Sequence, residues 1–375
     1  MFLELFFDLV FVFALAQLSV TLLERLSWSH LFKTLVLLLA LWWIWTRITA
    51  ITETLDPRHP LIQLLVIATM LGTLVMAAAA PEAFGKRGLV FAGGYVAIQI
   101  GSHLACVLMT RGHDAEQHFF MRAGFWFGVS AVPWIAGAFV PGWARLVLWT
   151  LAAIIDYGAA TLHWPTPRMG RTPVAELPIS GTHLAERYQG FFIIALGELV
   201  LVTGLTLANT DFEAASIAAV VCAFAIEVLM WRIYFHRAGA LLGEAVTAVP
   251  DAFRVAIPAI YAHLIMVAGI VAISVGKELV IGHPLEHTQP AWIAVLFGGP
   301  ALFLIGRAIF EYAVFNRVSR SRAIGVLVLA AISPAMIHLP PLAVGLAPAF
   351  VLAAVAISDT ASTVGRPPEP PSPPR

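Results

Sequence analysis

Residues 61–80 read LIQLLVIATMLGTLVMAAAA, a run of 20 residues without a charge. An α-helix needs about 20 apolar residues to cross the ~30 Å hydrocarbon core of a bilayer, so this run is long enough to span one. Eleven more runs of similar length flank it, and the whole chain is 60% hydrophobic and 12% charged. Because a spanning segment must satisfy its own backbone hydrogen bonds, helices are the expected form. The sequence predicts an all-α, polytopic integral membrane helical bundle of about 12 transmembrane helices. The predicted spans are 5–23, 29–50, 61–80, 88–109, 118–140, 143–163, 187–207, 213–236, 251–275, 291–313, 322–339 and 342–358.

The basic residues are distributed unevenly between the two sides of such a bundle. If both termini and every second loop share one side, that side holds 16 of the 22 Lys and Arg residues, and the other side holds six. Cytoplasmic loops of membrane proteins carry the excess of Lys and Arg, so the pattern predicts cytoplasmic N- and C-termini. The six residues assigned to the outer side are Arg25, Lys33, Lys86, Arg87, Arg145 and Lys277.

The two halves of the chain share features in the same order. Glu4 and Glu186 each precede a Phe-rich run, and residues 42–47, WWIWTR, resemble residues 231–235, WRIYF. An even number of helices per half would make the repeats parallel, an architecture found in solute transporters. The alternative is that aromatic and small residues recur in any membrane protein.

The expected organisation follows from this repeat. We predict a first six-helix repeat over residues 1–163, a cytoplasmic linker at 164–182 and a second six-helix repeat over 183–360. Residues 361–375 are dominated by proline, which predicts a disordered tail.

Carboxylates inside the spans are the main candidates for function, because a charge at the centre of a membrane helix costs about 2.5–3.5 kcal/mol on insertion scales. Glu198 is predicted near the middle of the seventh span, and Asp8 lies about two turns into the first. Either is a candidate for binding an ion or carrying a proton. The alternative is a protonated or salt-bridged structural acid.

Three other polar residues have structural explanations beside functional ones. Glu4 is placed at a helix N-terminus, where an acid complements the helix dipole. Glu227 lies near the cytoplasmic end of its span, with Arg187 and Arg232 as candidate ion-pair partners. His263 falls mid-helix, where a histidine relays protons or simply hydrogen-bonds within the core.

Several classes of function find no support. The two cysteines fall in predicted helices, and no Walker A, Rossmann or nucleophile-elbow pattern is present. Residues 283–287, HPLEH, lack further ligands for a metal. The basic residues form no nucleic-acid patch. We therefore expect no metal, no cofactor, no nucleic-acid partner and no assignable catalytic residue.

Two motifs resemble the bacterial low temperature requirement A family. Residues 4–12, ELFFDLVFV, and 186–198, ERYQGFFIIALGE, match its two longest motifs, although Gln189 is an extra residue before the glycine. The resemblance implies a multi-pass protein of the bacterial inner membrane and specifies no molecular activity. It adds weight to the residues that the matched motifs contain, which include Glu4, Asp8, Glu186, Arg187 and Glu198.

Three functions remain open. The leading hypothesis is a transporter or channel-like protein for a small solute or ion, proton-coupled through Glu198 or Asp8, with membrane lipid as its other partner. The first alternative is an integral membrane enzyme acting on lipid, and the second is a membrane sensor or scaffold. The polar residues available to such an enzyme in the predicted cytoplasmic loops are scattered, and comprise Asp56, His59, Asp114, Glu116 and His118.

Overall fold

The computed structural model of the chain describes residues 2–173, 180–249, 252–364 and 370–374. Within these ranges the protein is built from 13 α-helices and has no strand. Twelve of the described helical segments are long and apolar enough to cross a membrane. The prediction of an all-α, multi-pass membrane protein is confirmed. The helices are α1 Phe2–Leu23, α2 Trp28–Thr54, α3 Pro60–Ala79, α4 Gly88–Met109, α5 Asp114–Phe139, α6 Trp143–Thr161, α7 Gly181–Ala208, α8 Ala214–Phe235, α9 Ala238–Thr247, α10 Phe253–Gly282, α11 Pro290–Phe315, α12 Arg320–Ile332 and α13 Pro341–Thr363.

Several helices begin where the sequence supplies a capping residue. The Ser27 hydroxyl accepts a hydrogen bond from the first turn of α2, and the Ser180 hydroxyl does the same for α7. Helices α3, α11 and α13 carry proline in their first turn, at Pro60, Pro290 and Pro341. Proline is tolerated there because the first amide groups of a helix have no intrahelical acceptor. Local chemistry thus sets where these spans start.

The chain divides into two compact units, and the first comprises residues 1–179. In this unit α1 packs against α2 and α3, α3 packs against α4, and α4 against α5. Helix α6 packs against α5 and also contacts α2, so the six spans form a closed set of contacts.

The second unit comprises residues 180–375. In it α7 packs against α8 and α10, α10 packs against α11, and α11 against α12. Helix α13 packs against α12 and returns to α8. If the short helix α9 is left aside, the six spans of this unit pair in the same order as those of the first unit.

Helices α10 and α11 approach closely because glycines lie at their interface. A Cβ atom on Gly269 would lie 2.7 Å from the Gly299 carbonyl oxygen, and one on Gly299 would lie 2.9 Å from the Ile273 nitrogen. One on Gly306 would lie 2.6 Å from the Ala262 carbonyl oxygen. Small residues at such positions let two backbones pack together in a membrane.

Replacing Gly299 with alanine is expected to lower the stability of the second unit. The added methyl meets backbone atoms of α10, which cannot move as a side chain would, so overpacking costs about 1–3 kcal/mol. The neighbouring Gly298 has no atom within 4 Å of its would-be Cβ, which makes Gly298→Ala the matched control. Thermal unfolding in detergent checks the prediction, and equal melting temperatures for the two variants would contradict it.

The structure differs from the sequence-based spans at four places. Helix α12 ends at Ile332, seven residues before the predicted end at 339, and a 3₁₀-helix follows at Ser333–His338. Helix α10 continues to Gly282, seven residues beyond the predicted end at 275, and so includes Lys277. Helix α7 begins at Gly181, six residues before the predicted start at 187. Helix α9 was not predicted at all. Lys277 interrupts the apolar pattern and was assigned to an outer loop, yet it is 5% exposed. Its partners in the folded unit explain the error.

The predicted linker and tail fall partly on residues outside the described ranges, namely 174–179, 365–369 and 375. In the described part of the linker, Thr166 and Gly170 form an isolated antiparallel bridge. Beyond α13, the Ser372 amide donates a hydrogen bond to the Val314 carbonyl oxygen at 3.0 Å.

Candidate functional site

A cluster of polar side chains lies inside the second unit, where α7, α8 and α10 meet. Helix α7 contributes Glu198 and Thr203, α8 contributes Glu227, and α10 contributes Ser274 and Lys277. All five side chains are buried, with at most 5% of their surface exposed. Ser274 and Lys277 are three residues apart, so one face of α10 presents both to the two neighbouring helices. We call these five residues the polar cluster.

Glu227 and Lys277 form a buried salt bridge. The Lys277 Nζ atom lies 3.1 Å from Glu227 Oε1 and also donates to the Leu199 carbonyl oxygen. The Thr203 hydroxyl donates to the same carboxylate oxygen at 3.0 Å. Burial of a charge away from water is compensated only by a partner and hydrogen bonds of this kind. The pair is therefore a fixed charged element of the second unit.

Glu198 lies beside this pair and is bound differently. Its side chain is 0% exposed, and Oε1 accepts a hydrogen bond from the Ser274 hydroxyl at 2.9 Å. Within the described residues, Oε2 has no hydrogen-bond partner. Glu198 stands ten residues before the end of α7 at Ala208, which is ~15 Å from that end at ~1.5 Å per residue. It is a carboxyl group inside the bilayer with one oxygen left for a proton or an ion.

A small cavity borders the polar cluster. Its volume is about 30 Å³, and Lys277 lines it together with Cys222, Leu296, Pro300 and Gly345. A buried site of this size holds a water molecule when polar groups face it, since one probe sphere occupies roughly 10–15 Å³. The lysine is the charged group on its wall. The rest of its wall is mainly apolar, so its volume admits a water-sized molecule next to Lys277.

The ion-pair partner predicted for Glu227 was wrong. The sequence pointed to Arg187 or Arg232, whereas Lys277 fills that role. Arg232 instead contacts His236 and Thr360. The span prediction had ended before Lys277, so this residue was never considered as a partner.

His263 is held as a core histidine. Its Nδ1 lies 2.7 Å from the Ala259 carbonyl oxygen and its Nε2 lies 2.8 Å from the Tyr234 hydroxyl. The carbonyl requires Nδ1 to be the donor, so Nε2 accepts the hydroxyl proton. The imidazole also packs against the rings of Tyr188 and Phe310, with centroids 4.6 and 4.8 Å away. Both ring nitrogens are used, which is the hydrogen-bonded alternative that the sequence left open.

The acids of the first motif lie in the first unit. Asp8 is 0% exposed, and the Trp45 indole nitrogen donates a hydrogen bond to its Oδ1 at 2.8 Å. Glu4 is also buried. Of the second motif, Glu186 is exposed and Arg187 is buried on α7. The two motifs thus contribute to two different units, each with its own partners.

The loop residues considered for a lipid enzyme serve local structure where contacts are defined. Asp56 accepts a hydrogen bond from the Arg58 amide, and His59 accepts one from the amide of Leu61 in the first turn of α3. Asp114 lies in the first turn of α5, where it complements the helix dipole. Across the described ranges, no three His, Cys, Asp or Glu side chains form a group that could hold a metal ion.

Sequence reasoning missed Thr203, Ser274 and Lys277 as members of the cluster. The available sign was the spacing of Ser274 and Lys277 at i and i+3 in a segment where Glu278 is the other charged residue, because residues with this spacing share a helix face. A lysine that shares a face with a buried serine belongs inside the bundle.

A family model described as "Bacterial low temperature requirement A protein (LtrA)" matches residues 1–357. The uncharacterized protein RA0937 of Rhizobium meliloti (strain 1021) is 37% identical over 308 residues, which cover 81% of this chain and 75% of that protein. No solved structure matches.

Proposed function

The chain belongs to the bacterial low temperature requirement A family, and from this premise we propose that it is a transporter for a small solute or ion, coupled to protons. The observation that carries the proposal is Glu198, a fully buried carboxyl group with one oxygen unpaired beside the Glu227–Lys277 salt bridge. Intramembrane acids of this kind mark ion and proton pathways in membrane proteins.

The charge balance of the polar cluster supports this role. Two carboxylates and one ammonium give it a formal charge of −1 when all three groups are ionised. One proton, or one monovalent cation, on Glu198 makes these five residues neutral, and the partly exposed Glu278 of α10 adds further negative charge nearby that favours such loading. Since an uncompensated charge in a low-dielectric interior is costly, loading and unloading of Glu198 change the energy of the surrounding helices. Such a change is what a carrier needs in order to couple an ion to a conformational step.

The contacts of the cluster suggest which groups stay fixed. Lys277 is tied to Glu227 and to the backbone of α7, so this pair holds three helices together whatever the state of Glu198. Glu198 accepts one hydrogen bond, from the Ser274 hydroxyl. We assign Glu198 as the group that exchanges the ion, and Glu227 and Lys277 as positioning residues.

The wider arrangement is proposed with it. We place both termini in the cytoplasm and the protein in the bacterial inner membrane, on the distribution of basic residues. We also propose that the two units are parallel repeats, because their spans pair in the same order along the chain. In transporters built from repeats, binding sites lie near the midplane of the bilayer, which is where we propose that Glu198 of α7 lies.

Proton flux in reconstituted vesicles tests the proposal. Vesicles with a pH-sensitive dye inside receive an imposed pH gradient, and protons are the probe. The wild-type protein is expected to dissipate the gradient faster than empty vesicles, and Glu198→Gln to reduce the rate to that of empty vesicles while remaining folded. The amide keeps the shape and the bond from Ser274 but cannot ionise.

The matched control is Glu213→Gln, the same chemical change at an exposed acid before α8. It should leave the flux unchanged. A folded Glu198→Gln variant with wild-type flux, or no flux from the wild-type protein, would remove the transport role. A variant that fails to fold would assign Glu198 to the stability of the bundle.

A further inference from the structure

Another buried acid of the first unit, besides Asp8 and Glu4, lies in α6. Asp156 in α6 is 0% exposed. Its Oδ2 accepts hydrogen bonds from the Tyr95 hydroxyl at 2.7 Å and from the Trp134 indole nitrogen at 3.3 Å. Gln99 in turn donates from Nε2 to the Tyr95 hydroxyl at 3.3 Å. The carboxyl group is therefore fixed in place on one oxygen.

Two hydrogen-bond acceptors at this site have no donor within the described residues. Within the described residues, Asp156 Oδ1 and Gln99 Oε1 are both buried without a hydrogen-bond partner. The single hydroxyl proton of Tyr95 is already given to Oδ2. The Ser130 hydroxyl lies within hydrogen-bonding reach of Asp156 and 3.3 Å from the Phe127 carbonyl oxygen, and its single proton serves one of these acceptors at a time. Buried acceptors are normally satisfied, so the site has fewer donor protons than acceptors.

The charge of Asp156 is also uncompensated. No salt bridge to it occurs among the described residues; Arg47 of α2 acts on it only at longer range, and Tyr95 is the titratable group in contact with it. Two buried acids of the second unit differ, because Glu227 contacts Lys277 and Asp359 contacts Arg322. The surroundings of Asp156 are aromatic, with the Tyr95 and Trp134 rings 4.6 Å apart. An isolated carboxylate there would carry the full cost of burial.

Polar side chains continue from this site along α4. Tyr95, Gln99, Ser102 and His103 stand at i, i+4, i+7 and i+8, which places them on one helix face. The His103 Nδ1 atom lies 2.9 Å from the Gln99 carbonyl oxygen and 3.2 Å from the Ser102 hydroxyl. This row of four residues covers about 12 Å of the helix at ~1.5 Å per residue. Among the described residues, His103 bonds to the backbone carbonyl of Gln99 and Tyr95 bonds to its side-chain amide, so the row places polar groups beside the acid and is not a continuous proton pathway.

We propose that Asp156 is a proton-binding site, which takes an exchangeable proton on Oδ1. A proton there supplies the missing donor and removes the uncompensated charge in one step. Tyr95 and Trp134 act as positioning residues, since they hold Oδ2 whether or not the proton is present. The site lies in the first unit and does not depend on the transport role of Glu198.

Infrared difference spectroscopy of the full-length protein tests the site without an activity assay. The spectrum of the Asp156→Asn variant is subtracted from that of the wild-type protein at neutral pH. The difference spectrum is expected to show the carbonyl stretch of a protonated carboxylic acid. This band should shift in D₂O as the proton exchanges. Asp211→Asn, the same change at an exposed loop acid, should remove no such band. Absence of the band would show that Asp156 is ionised, and a band that never shifts in D₂O would show a sealed proton; either result overturns the proposal.

Tyr95→Phe keeps the test valid if Asp156→Asn does not fold. Removal of the hydroxyl takes one hydrogen bond from Oδ2, so the same carbonyl band should move in frequency without disappearing. A band unaffected by Tyr95→Phe does not belong to Asp156 and would contradict the proposal. A last measurement repeats the infrared spectrum with Na⁺ in place of K⁺ at constant pH. Loss of the band in Na⁺ would assign the site to a metal cation instead of a proton.

Discussion

Replacing Lys277 with methionine is expected to destabilise the protein by about 3–5 kcal/mol, because it leaves Glu227 as a buried carboxylate without a charged partner. Methionine fills a volume similar to that of the lysine stem, so little of the loss comes from packing. The hydrogen bond to the Leu199 carbonyl oxygen is lost as well. Unfolding of the purified protein in detergent, followed by circular dichroism, measures the effect.

The double variant Lys277→Met with Glu227→Gln separates charge from packing. If the uncompensated carboxylate causes the loss, removal of its charge should restore most of the stability, since an amide still accepts the bond from Thr203. Lys86→Met is the matched control, because Lys86 is exposed in the turn before α4. A double variant as unstable as Lys277→Met alone would show that packing of the lysine stem, and not the ion pair, is what the second unit requires.

The fold could be predicted where the sequence pattern is purely apolar. Residues 88–109 were predicted as a span, and α4 runs from Gly88 to Met109. The pattern failed at α10, since a lysine inside a span looks the same in sequence as a lysine in a loop. What distinguishes the two is Glu227, a residue of another helix 50 positions earlier in the chain. Hydropathy contains no information about that contact, so the end of α10 could not be placed.

The same limit applies to the site. Glu198 and Glu227 stood out in the sequence because a carboxylate inside a span is costly and rare. Ser274 and Thr203 did not stand out, since hydroxyl groups often bond to their own helix backbone in membrane proteins. Only the packing of α7, α8 and α10 brings these side chains to the two acids. For His263, the choice between a relay and a core histidine depended on Tyr234, which reaches it from α8.

The distribution of basic residues assigned Arg145 to the outer side of the membrane. In the structure it is a buried residue that holds helix ends together by hydrogen bonds. It lies in the first turn of α6 and is 6% exposed. Its guanidinium group donates to carbonyl oxygens at the end of α5 and in the turn between α3 and α4. A helix end buried without such donors would leave its last carbonyl groups unsatisfied. The acceptors are the carbonyl oxygens of Gly137, Ala138, Val140, Ala83 and Gly85, at 2.8–3.2 Å.

Arg145→Met is therefore expected to cost about 3–5 kcal/mol of stability, the range for loss of a buried hydrogen-bond network. Arg145→Lys should lose nearly as much, because one ammonium nitrogen cannot reach acceptors on two sides as a planar guanidinium does. Arg87→Met is the control: Arg87 is exposed and donates to a single carbonyl oxygen, that of Ala78. Thermal unfolding of the three variants in detergent distinguishes the cases. If Arg145→Lys were as stable as the wild-type protein, a positive charge at this position would be the requirement, and the five-carbonyl network would not hold the turn to α5 and α6.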